Sequence, residues 1–561
     1  MISETRICQN CKNQFVIAPD DFSFYEKMGV PAPKICPQCR FQRKCLWRNE
    51  TTLYSRVCDL CGKSMISMYS PDSPYVVYCL YCYHSDKWNA FDYAKEYNPH
   101  RTFFDQLKDL VSSVPKAAVY HSSFANSVNC EYINFAGGKQ GSKNCYLVFN
   151  GAGEDLIYTR GVRMPARNVV DCYYSYGVEN CYEIINVRES TGITFGQNVS
   201  GSLDSAFLFG CSNCHNCFGC VNLRNKSYHF FNKRIDKEEY RRRVDELRGS
   251  YVALQKFRRQ FDEFRLKFLH RSDQNIKAVN SSGDFLSETN NVNDSFEVAG
   301  AENCRYTYFA GSSKEPLRDS YDVLGFGYNS EQLLETMAVG FSQRAIASAM
   351  CSTSQNIEYC VNVKESSNCL GCDGIKNGEY AILNRRYSKA AFNDLRSKIV
   401  KELEVGGEYG LFFPPSLAPF AYNETIGQDN FPLTKEEAIK NGFSWEDDVQ
   451  ITRGKETIQP EKLPDHIKDV SDSITKDILK CIGCGRNYKI IPAELDFYRQ
   501  MTLPIPRQCF YCRHADRLRR RGPFKLHARN CAKCGKRIQT IYAPDRPEIV
   551  YCESCYNSEV I

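Results

Sequence analysis

No apolar run in this 561-residue chain is long enough to span a bilayer. The opening stretch, Met1 to Cys11, lacks the apolar core of a signal peptide. A soluble, cytoplasmic protein is therefore expected. The net charge, +6, is too small to name a partner. Recognisable catalytic signatures are missing too: there is no G-x-S-x-G, no Walker A loop, no H-E-x-x-H and no G-x-G-x-x-G between a strand and a helix. Histidine is scarce, at 9 residues. An enzyme with its site in a cleft of the middle region thus ranks behind two binding functions. Carboxylates such as Asp92, Glu96 and Asp105 read as a solvated helix face.

Cysteine, in contrast, is abundant, at 30 residues. Sixteen of these form one pattern written twice. The first copy is Cys8/Cys11, Cys36/Cys39, Cys58/Cys61 and Cys79/Cys82; the second is Cys481/Cys484, Cys509/Cys512, Cys531/Cys534 and Cys552/Cys555. Adding 473 to each number of the first copy gives the second, with 24, 18 and 17 residues between successive C-x-x-C pairs. Two such knuckles a short loop apart supply four thiolates to one tetrahedral metal. Four structural Zn²⁺ sites are expected, closed to substrate, with iron the alternative metal. Sequential pairing of knuckles is favoured, and loop lengths also permit crossed pairing. Disulfides are the lesser reading, since paired knuckles without a signal peptide suit a reducing compartment. His84 and His514 each follow a knuckle but stand beside complete four-cysteine sets, so they read as surface or supporting residues.

The copies also share Phe24/Phe497, Tyr25/Tyr498, Pro31/Pro504 and Tyr78/Tyr551, among others, and so one small fold. Such a fold has little core and leans on its metal. A second, inner duplication runs at an offset of 152: Cys217-Phe-Gly-Cys220, Tyr228, Asn232 and Tyr240 match Cys369-Leu-Gly-Cys372, Tyr380, Asn384 and Phe392. Each inner copy leads into a helix, over about 237–270 and 389–403, announced by Asp236 and Ser388. Upstream recur a polar residue, Cys or Ser, then an aromatic, as in Asn144-Cys145-Tyr146, Asp171-Cys172-Tyr173 and Asp319-Ser320-Tyr321. A mainly β, parallel solenoid middle follows, with Cys or Ser inward and Asn at turns; a β-sandwich is the competitor. The spacing of Cys130, Cys145, Cys172 and Cys181 reads as irregular, implying coils of varied length.

The expected layout is a metal unit over 1–87, a helical connector over 88–118, solenoid halves over 119–235 and 276–387 with a long helix over 236–275 between them, a helix and Pro-rich linker over 388–475, and a second metal unit over 476–561. In the connector, Phe103, Phe104, Leu107, Leu110 and Val111 share one helix face. Cys211-x-x-Cys214-x-x-Cys217-x-x-Cys220 suggests an iron–sulfur site, but the second inner copy has Val363 and Ser366 in the first two places, which favours small buried side chains.

One feature points to a partner. Arg40, Lys44 and Arg48, matched by Arg513, Arg517 and Arg521, sit at helical spacing after the second knuckle of each unit. Residues 478–561 carry 16 Lys and Arg against 7 Asp and Glu, including Arg519, Arg520, Lys525, Arg529, Lys533, Lys536 and Arg537. Contact with nucleic-acid phosphates is the first expectation and a solvated face the other. Phe41, Trp47, Phe510 and Tyr511 would either stack bases or pack the metal folds. The alternative function is a protein-binding scaffold that uses the solenoid surface, with the ribbons as caps. The two alike terminal units are also expected to pair with each other.

The run Asp21-Phe-Ser-Phe-Tyr-Glu-Lys-Met-Gly-Val-Pro-Ala-Pro-Lys-Ile-Cys-Pro-Gln-Cys-Arg40 resembles a zinc-ribbon domain of bacterial proteins. Pro544-Asp-Arg-Pro-Glu-Ile-Val-Tyr-Cys-Glu-Ser-Cys-Tyr556 resembles the closing half of a Cys₄ ribbon of nucleic-acid-binding proteins. The whole layout is similar to uncharacterised multi-zinc-ribbon proteins of candidate-phylum bacteria. The resemblance implies zinc and a bacterial cytoplasm. Some proteins of that kind carry a CoA-transferase label, a chemistry for which no residues here speak.

Overall fold

A computed structural model describes residues 2–136, 141–449 and 451–560. The chain divides into two compact units. One comprises Met1–Ala118, Asp273–Asp447 and Phe524–Leu526; the other comprises Val119–Ser272, Asp448–Pro523 and His527–Ile561. Each metal unit is thus grouped with the solenoid half remote from it in sequence: the N-terminal one with the second half, the C-terminal one with the first.

Both halves are parallel β-solenoids, not sandwiches. The first is a ten-stranded sheet between Glu131–Asn134 and Lys233–Arg234; the second is a thirteen-stranded sheet between Ile276–Val279 and Arg385–Arg386. Gln343, Gln355, Ser367 and Glu379 pair in succession, so one coil is 12 residues. Within a coil the backbone repeats every third residue. Gln332, Glu335, Ala338, Phe341, Arg344 and Ala347 have φ between 47° and 57°, and the series continues to Leu383. Each left-handed residue turns the chain by one side, and four sides close a coil.

The residue after each turn points inward. Leu333, Thr336, Val339, Ala345, Ser348, Cys351, Ile357 and Cys360 are all buried there. The coil interior is narrow, so among the residues just named this position takes Cys, Ser, Thr, Ala, Val, Ile or Leu, and no Phe or Trp. The recurring triplet is therefore turn, inward residue, outward residue. The intervals Cys130–Cys145–Cys172–Cys181 are 15, 27 and 9 residues. All are multiples of three, yet the coils vary in length as expected: the register steps by 15 residues from Glu131 to Tyr146, by 11 from Tyr146 to Ile157, by 13 from Leu156 to Val169 and by 16 from Ala301 to Leu317.

Left-handed backbone is unfavourable for most side chains. Ladders between coils offset that cost. Asn186 donates to Asn198, and Asn291 to Asn303, one coil apart. Ser330 Oγ accepts from the Ser342 amide, and Ser342 and Ser354 repeat the bond to the next coil at 3.1–3.3 Å. Each half ends in an antiparallel strand capped alike: Asn232 bonds both backbone groups of Val221, and Asn384 both of Asp373.

The Phe103–Ser113 helix forms as expected and buries Phe103, Leu107, Leu110 and Val111. The expected helix over 237–270 is instead two, Lys237–Asp245 and Tyr251–Arg265, broken where Gly249 lies in the left-handed region and Ser250 caps the second. Lys389–Gly406 is one helix, and Thr434 with Glu437 boxes the start of Lys435–Lys440.

Candidate metal centres

Four groups of four cysteines come together: Cys8, Cys11, Cys36 and Cys39; Cys58, Cys61, Cys79 and Cys82; Cys481, Cys484, Cys509 and Cys512; and Cys531, Cys534, Cys552 and Cys555. Within each group all sulfurs lie within 4.8 Å of one another. The pairing is sequential. Each site joins the turn of a two-stranded hairpin to the chain leading into a helix. In the first, Cys8 and Cys11 follow the strand Glu4–Ile7, and Cys36 precedes the helix Pro37–Cys45.

One bond recurs in all four: the amide of the third cysteine donates to the sulfur of the first. The distances are 3.2 Å for Cys36 to Cys8, Cys79 to Cys58 and Cys509 to Cys481, and 3.3 Å for Cys552 to Cys531. Such N–H···S bonds favour thiolate over thiol. The hydrogen bond between Cys36 and Cys39 lowers the pKa of the first and raises that of the second, and the bond between Cys481 and Cys509 does the same, so each pair shares a proton when no metal is bound. The S···S separations are 3.7 Å for Cys11–Cys36, Cys481–Cys512 and Cys484–Cys509, 3.8 Å for Cys534–Cys552 and 4.0 Å for Cys61–Cys79. A tetrahedron with metal–sulfur bonds of about 2.3 Å has edges of about 3.8 Å. The donor set and its dimensions fit a four-coordinate metal ion, and four cysteines leave no position for substrate.

Cys211, Cys214, Cys217 and Cys220 are not such a group among the described residues. They occupy four successive inward positions of the coil and behave as serines do there. Cys211 donates to the Phe209 and Cys220 carbonyls at 3.5 and 3.4 Å, and Cys214 to those of Ser212 and Leu223 at 3.3 and 3.5 Å.

The basic stripe needs a correction. Arg40, Lys44, Arg48, Arg513, Arg517 and Arg521 are all at most 5% exposed, so none is placed to meet phosphate. Carboxylates of the solenoid answer most of them. Arg40 Nε lies 3.0 Å from Asp322 Oδ2, and Lys44 Nζ 2.8 Å from Glu335 Oε2. In the other unit Arg513 and Arg517 both meet Asp171, at 2.7 and 2.9 Å. Arg48 pairs with Glu50 at 2.6 Å, and Arg521 donates to the Tyr173 hydroxyl at 2.7 Å. The helical spacing therefore sets a docking face of each metal unit on its solenoid half. Like charges on one helix face are tolerated because buried acids neutralise them.

Aromatics complete this docking. Phe41 stacks on Tyr308 with centroids 3.8 Å apart, Trp47 on Phe413 at 4.5 Å and Phe510 on Tyr158 at 5.2 Å. Tyr511 remains exposed. His514 is buried, its Nε2 3.2 Å from Arg160, while His84 is exposed. Glu183 adds a further pair, with Arg258 at 3.0 Å and with Arg520. Burial works to raise its pKa, but the guanidiniums outweigh it and hold Glu183 at about 2. Glu494, buried between Tyr158 and Tyr498, is raised to about 6. The acids Asp171, Asp322, Glu335 and Glu183 were not legible as functional. The available signal was an acid in the turn position where Asn is usual, as in Asp171-Cys172-Tyr173.

Fold and sites together define a metal-ribbon β-solenoid protein: parallel coils to which cysteine-rich units are clamped by buried ion pairs. No protein-family model matches the chain, and no curated protein matches it in sequence. No helix among the described residues is long and apolar enough to cross a membrane.

Proposed function

We propose that this protein is a non-enzymatic, zinc-bearing scaffold that presents its solenoid wall to a protein partner. The observation that carries this reading is the burial of all six cations, four of them against solenoid carboxylates. The ribbons spend their most concentrated charge inside the molecule, and four-cysteine sites suit redox-silent Zn²⁺ as a structural ion.

The second solenoid half keeps an open trough of about 880 Å³. Its floor is the column Ser330, Ser342, Ser354, Ser366 and Gly378, and Glu331, Glu365 and Glu379 stand on its rims beside a single cation, Arg318. These three glutamates form no ion pair among the described residues. Their charge favours a basic segment of the partner and disfavours nucleic acid.

Two measurements test the reading. Elemental analysis of purified protein is expected to give four zinc ions per chain; iron in their place would change the metal assignment. Anisotropy with labelled RNA and duplex DNA at low salt is expected to show no steep, salt-dependent binding. Such binding, if abolished by Lys533→Glu, Lys536→Glu and Arg537→Glu on the exposed tip of the fourth site, would overturn the scaffold in favour of a nucleic-acid function. Cross-linking to a basic protein partner, lost in Glu331→Lys with Glu365→Lys, is the positive outcome.

A further inference from the structure

The two internal offsets map one place in the protein onto another. The offset of 152 sets Gly192 on Arg344 and Asp204 on Asn356; the offset of 473 sets Met501 on Met28 and Thr502 on Gly29. The backbone agrees with the mapping. Gly192 and Arg344 have φ of 70° and 55°, and Asp204 and Asn356 have φ of 43° and 52°.

In the unit of the second solenoid half, Arg344 reaches from the coil wall to the metal unit. Its Nη2 donates to the Met28 carbonyl at 3.2 Å and lies 3.8 Å from where a Cβ on Gly29 would stand. In the unit of the first half, Gly192 has no side chain to send. A cavity of about 280 Å³ occupies the corresponding place, lined by Gly192, Asp204, Phe207, Arg248, Met501 and Thr502, among others. Phe207 is stacked on Phe195 with centroids 4.4 Å apart. Neither Asp204 nor Arg248 forms an ion pair among the described residues. Thr502 holds φ of 52°, an outlier for a β-branched residue and a place where strain accompanies a cavity wall.

We propose that this cavity binds a small guanidinium compound of the size and charge pattern of free arginine, which takes the place that Arg344 fills in the other unit. The acceptor geometry is inherited: the Met501 backbone matches the Met28 carbonyl, and Asp204 adds a carboxylate where the filled site has Asn356. Arg248 supplies a cation for a carboxylate at the far end of the ligand. The volume suits a compact ligand at the small end of binding pockets. The inference stands apart from the scaffold reading, because it concerns a cavity and not the solenoid trough.

Calorimetry on the zinc-loaded full chain tests it with L-arginine, agmatine and L-citrulline. One arginine per chain is expected, with agmatine weaker for want of a carboxylate. Citrulline is expected to bind about tenfold more weakly or less, since it loses the charge-assisted bonds. Gly192→Arg, with its zinc content retained, is expected to abolish binding, both by filling the cavity and by displacing Asp204 Oδ1, which lies 2.5 Å from where a Cβ would stand. Asp204→Asn, a milder change at the rim, is expected to weaken arginine about tenfold. No saturable binding of arginine or agmatine up to roughly 10 mM, weaker than millimolar specific binding, overturns the proposal. So does equal affinity for citrulline, or unchanged affinity in either variant.

Discussion

The two metal units share their cysteine spacing, hairpins and basic helices, yet they hold the solenoid differently. In the N-terminal unit, Arg40 and Lys44 meet two acids, Asp322 and Glu335, and Arg40 reaches both, at 2.9 and 3.1 Å. In the C-terminal unit one solenoid acid, Asp171, answers both Arg513 and Arg517, and Arg513 also lies 3.8 Å from Glu494 of its own metal unit. The first clamp uses two solenoid carboxylates and the second a single one, with Glu494 of the metal unit at a longer distance from Arg513. Duplicated folds thus conserve the form of an interface while redistributing its charge, and the two clamps are expected to fail differently.

The largest effect should leave the units alike. Chelation removes ions that contribute on the order of 10 kcal/mol of folding energy per site. Both ribbons should then lose protection in hydrogen exchange, while the solenoid ladders keep theirs. Retained ribbon protection without metal would show that the docking alone holds them.

Next come the acids. Asp171→Asn removes the carboxylate of buried Arg517 and leaves Arg513 only Glu494, at 3.8 Å, and should cost about 3–5 kcal/mol in denaturant unfolding of its unit. Asp322→Asn leaves Glu335 in place and should cost about half of that. Equal costs would erase the distinction between a clamp with one solenoid acid and a clamp with two.

Glu183 sharpens the comparison through pH. Its folded pKa of about 2 lies below the ordinary value of 4.5. The stability it supplies is therefore present above about pH 4.5 and lost as pH falls toward 2. A shift of this size corresponds to roughly 3 kcal/mol. Glu183→Gln should cost about that much at neutral pH, and the gap from the native chain should close through the acid range. A gap that does not narrow would show that the Arg258 and Arg520 contacts contribute through packing instead.

The smallest expected effect concerns the matched turn. Gly29→Thr should destabilise by about 1–2 kcal/mol, since φ there is 69°. Thr502→Gly relieves the same strain but frees the unfolded chain, so its net change should stay within about 1 kcal/mol. Thermal unfolding of the two variants measures the asymmetry directly.

What the sequence reveals depends on how local each signal is. The sixteen cysteines are legible from their spacing, but their pairing is only favoured, because the loop lengths permit crossed as well as sequential sites and the fold alone selects the latter. The solenoid is legible from Asn turns and small inward residues. Its 12-residue coil is hidden when cysteines alone are followed, since Ser, Val, Ala and Ile share the inward position and only the combined set shows the period of three. The basic stripe shows its spacing but not its destination, because Arg40 and Asp322 are 282 residues apart. Helical cations look the same in sequence whether they face phosphate, solvent or a buried carboxylate.

The grouping of the first metal unit with the second solenoid half sets an order of events during synthesis. Cys82 leaves the ribosome about 250 residues ahead of Glu335. At roughly 5–20 residues per second the Arg40 and Lys44 helix waits about 10–50 s for its carboxylates. Through that interval the Arg40 and Lys44 face of the nascent ribbon lacks the carboxylates that neutralise it. The second ribbon meets no such delay, because Asp171 and Glu183 are already in place when Arg513 is made.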